Sequence, residues 1–402
     1  MPKKLVLTCL LNFLIAALMG LFLRYIAIAD VGVNYRFLTH AHSHVAMLGW
    51  VYLMLYVFIV HYFVPEKKPI FNTLFWLTEI AVLGMVLSFP FQGYAAVSIS
   101  FSTLHILCSY YFVFLVWKYQ KTNNKASEIL LKTALVFMLL STVGVWCLGP
   151  AVSMQGKASA FYQIAIQFFL HFQFNGWFLM AVFALLFYVL QIPYSKSFKN
   201  FFILLVLATV CTLALPINWY APSPLLLWIN GVGAIVQLAA LILFFKLIKF
   251  KVNTFLNNDN ALIKWLYYFA ISCLILKIGL QTLSVIPEVS QIALRYHNFI
   301  IGFIHLLMLG VISGFLFLFI LNKNWTSLNR VLSLGIISFV LGFIFTEILL
   351  FVQGFMYFLK QGILPNYYNL LFLASIFLPL GILLITINIL NHGKEKKAIK
   401  TT

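Results

Sequence analysis

Three stretches of the chain repeat one pattern: His44-Val45-Ala46-Met47-Leu48-Gly49-Trp50, His171-Phe172-Gln173-Phe174-Asn175-Gly176-Trp177 and His305-Leu306-Leu307-Met308-Leu309-Gly310-Val311. Each is a histidine, four residues, a glycine and then Trp or Val, running on into an apolar segment. The copies lie 127 and 134 residues apart in a chain of 402, at nearly even thirds. A fixed period of this kind marks an internal repeat, here threefold. Histidine within an apolar span is costly to keep, so each copy is first a candidate for function.

The composition around the repeats sets the class. With 63% hydrophobic and 8% charged residues, and a mean hydropathy of +1.03, the chain is far from a soluble domain, whose charged share is about a quarter. It reads as an all-α polytopic membrane protein in a lipid bilayer. The net charge of +18 does not point to nucleic acid, because the Lys and Arg residues cluster in short segments between apolar runs, where they set orientation. Cys9, Cys108, Cys147, Cys211 and Cys273 all fall inside apolar runs without paired short spacing, which argues against a disulfide framework or a Cys-based metal site. The first run, after Lys3 and Lys4, is long and carries Arg24, and reads as a retained helix rather than a cleaved signal.

Apolar stretches long enough to cross a bilayer, roughly 20 residues, occur at 5–29, 40–64, 70–92, 95–117, 129–152, 161–191, 199–220, 225–248, 261–286, 295–321, 331–358 and 367–391. These are twelve predicted helices in a single domain over 1–402. Lys3 and Lys4, Lys67 and Lys68, Lys118, Lys121, Lys125 and Lys132, Lys196 and Lys199, Lys246, Lys249 and Lys251, Lys323 and Arg330, and Lys394, Lys396, Lys397 and Lys400 mark alternate connections as cytoplasmic. The intervening connections carry one positive charge or none. Both termini are therefore expected inside. Twelve helices over three repeats gives four per repeat, and the repeated histidines fall on helices 2, 6 and 10, so a pseudo-threefold 4+4+4 bundle is expected, with the three histidines converging.

His40 and His44 are four residues apart and share a helix face, whereas His42 points roughly the other way. At about 1.5 Å per residue, the repeated histidines lie roughly 15 Å below the starts of their helices. Neutral imidazole is a common metal ligand and a usual axial ligand of haem iron. The glycine after each repeated histidine leaves room for a flat macrocycle or for a neighbouring helix. Taken singly, His42 and His105 read as polar residues of the core or interface. Glu79, Lys277 and Glu347 are ionisable groups within spans and are candidates for a proton path, or for mutual pairing of Glu347 with Lys277. The 42 phenylalanines read mostly as lipid-facing, and Trp50 and Trp177 as packing residues or lids on a ring.

A twelve-helix, 4+4+4 chain with histidines on helices 2, 6 and 10 resembles subunit I of the haem–copper oxidase superfamily, which includes nitric oxide reductases. The resemblance covers the whole chain in topology, through short motifs. It implies haem held by His44 or His40 together with His297 or His305, a helix 6 metal ligand at His171 for copper or non-haem iron, and an electron-donor subunit or cytochrome as partner; His42, on the opposite face of helix 2 from His40 and His44, offers a second metal site. It implies a bacterial-type inner membrane location. The chain departs from the family where residues 199–220, the seventh span, carry none of its metal-binding histidines, and where His297 and His305 are eight residues apart instead of two. The chain is also similar to NnrS-type membrane haem proteins, which share a His-x-His-rich segment at a helix mouth. The reading from a different class is a transporter whose threefold polar residues line a solute path.

Overall fold

The structure, a computed structural model, describes residues 3–66, 68–257, 260–322 and 325–401, and side chains up to 392 except that of Asn257. Lys67, Lys323 and the side chains of Lys394, Lys396, Lys397 and Lys400 lie outside the described set. The described residues form helices and connections, with no strand among them. Twelve of the helices are long and apolar enough to cross a membrane. They are α1 (Lys3–Tyr25), α2 (Tyr35–Phe63), α3 (Pro69–Gln92), α4 (Ala96–Tyr119), α5 (Lys125–Gln155), α6 (Ala160–Val189), α7 (Lys196–Asn218), α8 (Pro224–Leu256), α9 (Ala261–Leu283), α10 (His297–Leu321), α11 (Arg330–Phe358) and α12 (Tyr367–His392). A further short helix, Pro287–Arg295, precedes α10.

Local sequence explains where these helices start and stop. Asn34, Asn124, Ser159, Ser195, Asn260 and Asn329 each accept a backbone N–H from the first turn they precede, replacing a partner that the helix itself does not supply. Gly93 and Gly156 end α3 and α5 with positive φ, at 60° and 81°, a conformation open to glycine at little strain.

The chain forms two compact units, residues 1–120 with 301–402, and residues 121–300. In the first, α11 and α12 meet backbone to backbone: a Cβ added at Gly335 would lie 3.1 Å from the Gly381 carbonyl oxygen, and one at Gly342 would lie 2.9 Å from the Phe377 Cβ. Small residues permit this closeness, and within lipid it is packing that holds helices together. In the second unit, Gly233 of α8 brings the Cys211 Cβ within 2.8 Å of where its own Cβ would be, which fixes α7 against α8.

One feature recurs in α2, α6 and α10. Each of the three changes from α- to π-helix immediately after its repeated histidine, over Val45–Tyr52, Phe172–Phe178 and Leu306–Ser313. In every case the histidine is the last α-helical residue before the π-segment, and ordinary α-helix resumes after it. π-Helix is rare, usually a single turn, and concentrated at functional sites. The threefold sequence repeat thus has a threefold local structure. The same three helices are the most enclosed of the chain, with 83% of their apolar window buried against 33% to 50% for the others. From their first residues to His44, His171 and His305 the rise is about 12 to 17 Å at 1.5 Å per residue.

Two of the repeated glycines, Gly49 and Gly176, serve helix packing. An ideal Cβ on Gly49 would meet the Asn12 Cβ at 2.9 Å, and one on Gly176 would meet the Phe137 Cβ at 2.7 Å. Gly176→Ala is therefore expected to overpack α5 against α6 and lower stability by roughly 1–3 kcal/mol, read from unfolding in mixed micelles. A change under about 0.5 kcal/mol would show that the helices separate freely there.

Phenylalanine is used differently from the sequence expectation. Phe13, Phe58, Phe63, Phe75, Phe89 and Phe112 are among many that are buried, and Phe183, Phe187, Phe198, Phe201 and Phe244 build one aromatic core in the second unit. Aromatic rings fill space between helices with offset and edge contacts that lipid tails do not reproduce as well, so they are retained inside. Trp50 and Trp177 are fully enclosed packing residues.

Candidate functional site

In the first unit, α2 carries histidines on two faces. His42 turns toward α1, where its Nδ1 donates to the Ala16 carbonyl at 2.8 Å. Gly20, one turn further along α1, leaves the space: a Cβ there would lie 3.0 Å from the His42 Cε1. His40 and His44 turn the other way, against Phe89 and Tyr94. The His44 Nδ1 donates to the carbonyl of His40 at 2.8 Å, and its Nε2 faces the Tyr94 hydroxyl at 3.3 Å.

The acceptors decide the tautomers. A carbonyl oxygen only accepts, so the Nδ1 of both His42 and His44 carries the proton and Nε2 carries the lone pair. In His44 that lone pair is taken by Tyr94. His42 keeps its own: no hydrogen bond reaches its Nε2 among the described residues.

His305, at the end of the α-helical part of α10, has its Nδ1 3.5 Å from Glu347 Oε1 of α11. Neither atom has a closer polar partner among the described residues. Gly302 admits the carboxylate, since a Cβ there would sit 3.0 Å from Glu347 Oε2. Glu347 thus faces another polar group, as a carboxyl at membrane depth must. His42 and His305 are near enough to act on each other electrostatically, and Arg24 of α1 acts on His42, His305 and Glu347. Four helices, α1, α2, α10 and α11, therefore contribute Arg24, His42, His305 and Glu347 to one cluster.

A second polar contact braces this unit. Asn12 of α1 donates to Glu79 Oε2 of α3 at 2.8 Å and to the Gly49 carbonyl of α2 at 3.2 Å. Glu79 is 5% exposed, and through these two bonds Asn12 ties α1, α2 and α3 together at the α2 π-segment. His105 of α4 is 4% exposed, with its ring edge-to-face against Tyr52 at a centroid separation of 4.7 Å and its Nε2 unpartnered.

In the second unit, His171 is 8% exposed and its Nε2 donates to the Thr209 carbonyl of α7 at 2.7 Å. Its lone pair is therefore on Nδ1. Lys277 of α9 is fully buried, donates to Gln281 at 2.7 Å, and acts electrostatically on His171. His297 is exposed at the first residue of α10.

Among the described residues no group of three or more His, Cys, Asp or Glu is placed to hold a metal ion. Haem ligation would ask for two imidazoles rather than a three-residue cage. An axial histidine characteristically donates Nδ1–H to a carbonyl or carboxylate and ligates through Nε2, which is the state of His42 and the disposition of His305.

Sequence reasoning that looked for ionisable groups passed over Asn12, Tyr94, Asn230, Gln237 and Gln281. Amides within apolar spans were the available signal, because they too need partners in lipid. No protein-family model matches the chain, and no curated protein matches it.

Proposed function

We propose that this chain is a haem-binding membrane protein built like subunit I of the haem–copper oxidases, a 4+4+4 bundle in a bacterial-type inner membrane with both termini in the cytoplasm. Its function in this reading is electron transfer, or the handling of a diatomic gas or copper, with a donor subunit or cytochrome as partner. The observation that carries it is the pair His42 and His305, on α2 and α10, whose Nδ1 atoms face acceptors and whose Nε2 atoms are left as ligands. Bound there between two imidazoles, haem would supply one-electron chemistry. The chain's own part is to hold the rings: Ala16 fixes the His42 tautomer, Glu347 orients His305, and Arg24 supplies positive charge beside the carboxylate.

Full oxygen reduction by the family's three-histidine copper site is not part of the proposal, because α7 contains no histidine. An absorption spectrum of the purified chain tests the reading. A Soret band supports it, and a colourless protein with no haem after reconstitution overturns it in favour of a transporter, a reading favoured by the buried polar side chains of α8 and α9.

The orientation is tested separately. Reporter fusions at residues 122 and 223 are expected to read opposite sides of the membrane, because the first lies in a Lys-rich connection and the second in a Lys-free one. The same reading at both positions would overturn the topology.

A further inference from the structure

The second unit buries a set of polar side chains that the haem reading does not use. Lys277 is 0% exposed and has Gln281 as its hydrogen-bond partner. The acidic residues of 121–300 are Glu128, Asp259 and Glu288. Glu128 is bonded to Lys132, Glu288 is exposed on the short helix before α10, and Asp259 lies outside the described residues. Lys277 thus has no carboxylate partner among the described residues of its unit.

The helix registers bring further polar groups to the same level. Gly231 of α8 packs on Val285, in the turn two residues past the end of α9, with 3.6 Å between an ideal Cβ and the Val285 Cγ1. Since the two helices are antiparallel, Gln237, six residues along, comes level with residue 279, between Lys277 and Gln281. Gly233 packs on Cys211 of α7, which brings Thr209, the acceptor for His171, to that level too. Gln237 is 6% exposed with an unpartnered Oε1, and Asn230 is 1% exposed with both amide atoms unpartnered. Positions 230 and 237 are seven apart and share one face of α8.

Buried amides left unpaired are rare, and each calls for an explanation such as a ligand. A lysine held in hydrocarbon keeps its charge only beside an anion or other acceptors. We infer that Lys277, Gln281 and Gln237, with Asn230 on the same face about 10 Å along α8, form a binding site for a small carboxylate. One ammonium balances one negative charge, and amide N–H groups match the two-oxygen acceptor of a carboxylate better than a spherical ion. The amide oxygens that remain accept from a hydroxyl or amine on the same molecule. The site is separate from the haem ligands and does not rest on that reading.

The test uses the full chain in nanodiscs, with acetate as probe and chloride at equal ionic strength as comparator, read by thermal unfolding through tryptophan fluorescence. Acetate that binds only the folded chain raises Tm progressively with concentration, and chloride is expected to raise it much less. Lys277→Met, which keeps length and removes charge, is expected to abolish the acetate dependence, and Gln237→Leu to shift it to about tenfold higher acetate, as for one hydrogen bond to a charged group. His305→Ala is expected to keep the dependence whether or not haem is bound, which separates this inference from the proposed function. Wild type without an acetate response into the tens of millimolar range, a chloride response of equal size, or Lys277→Met with an unchanged acetate response would each overturn it.

Discussion

Replacing His305 with alanine is expected to remove the low-spin haem spectrum, and His42→Ala is expected to do the same. Each would take away one axial ligand, and the rings around the cluster offer no substitute: His44 points to Phe89 and Tyr94 on the far face of α2, and His297 is exposed eight residues earlier on α10. His44→Ala and His171→Ala are expected to leave the band in place. Glu347→Gln should retain the spectrum but lower haem occupancy by roughly tenfold or more, the usual scale for losing the group that orients a ligating histidine. Absorption spectra and haem content per chain of the five variants decide the matter. If His44→Ala bleaches the protein while His42→Ala does not, the ligand lies on the opposite face of α2. If all five keep the wild-type spectrum and haem content, these histidines hold no haem.

The variants differ in how far the sequence foretold them, and the reason is geometric. Apolar length located all twelve helices, but it misjudged ends where polar residues continue a helix. α2 begins at Tyr35, not 40, because its first turns are a His- and Thr-containing stretch capped by Asn34. α8 runs to Leu256, beyond 248, because lysines such as Lys246, Lys249 and Lys251 lower the hydropathy without ending the helix. The short amphipathic helix Pro287–Arg295 has no apolar run to betray it.

At the candidate site, spacing placed His40 and His44 on one face and His42 on the other, as the contacts show. Spacing gives an angle on one helix and says nothing about which helix lies at that angle. It therefore could not tell that His42, and not His44, acts on His305, nor that Glu347 turns to His305 and Lys277 to Gln281. The π-segments were equally hidden, since a helix widens in response to its neighbours; the repeated His and Gly were their only trace.

The largest stability effect is expected at Trp50, where the first unit's two π-segments meet. The ring is 1% exposed, stacks on Phe13 at 4.4 Å with planes 5° apart, and donates from Nε1 to Ser313 Oγ at 2.8 Å. Ser313 in turn donates to the Met308 carbonyl at 2.8 Å, so the indole joins α1, α2 and α10 through one ring. In soluble cores Trp→Ala costs about 3–5 kcal/mol. Within a bilayer the unfolded side chain is already in an apolar solvent, which shrinks the transfer part and leaves the cavity and the lost packing. Trp50→Ala is accordingly expected to cost roughly 2–4 kcal/mol in mixed-micelle unfolding. Trp50→Phe keeps the stack and removes only the donor; Ser313 still bonds Met308, so about 1 kcal/mol is expected. Ser313→Ala strands the indole N–H, and combining it with Trp50→Phe should restore part of the loss because neither partner is then left unmet. Additive losses in that cycle would show that the Trp50–Ser313 bond carries no coupling, and a Trp50→Ala loss below about 0.5 kcal/mol would show that the π-segments do not depend on the ring.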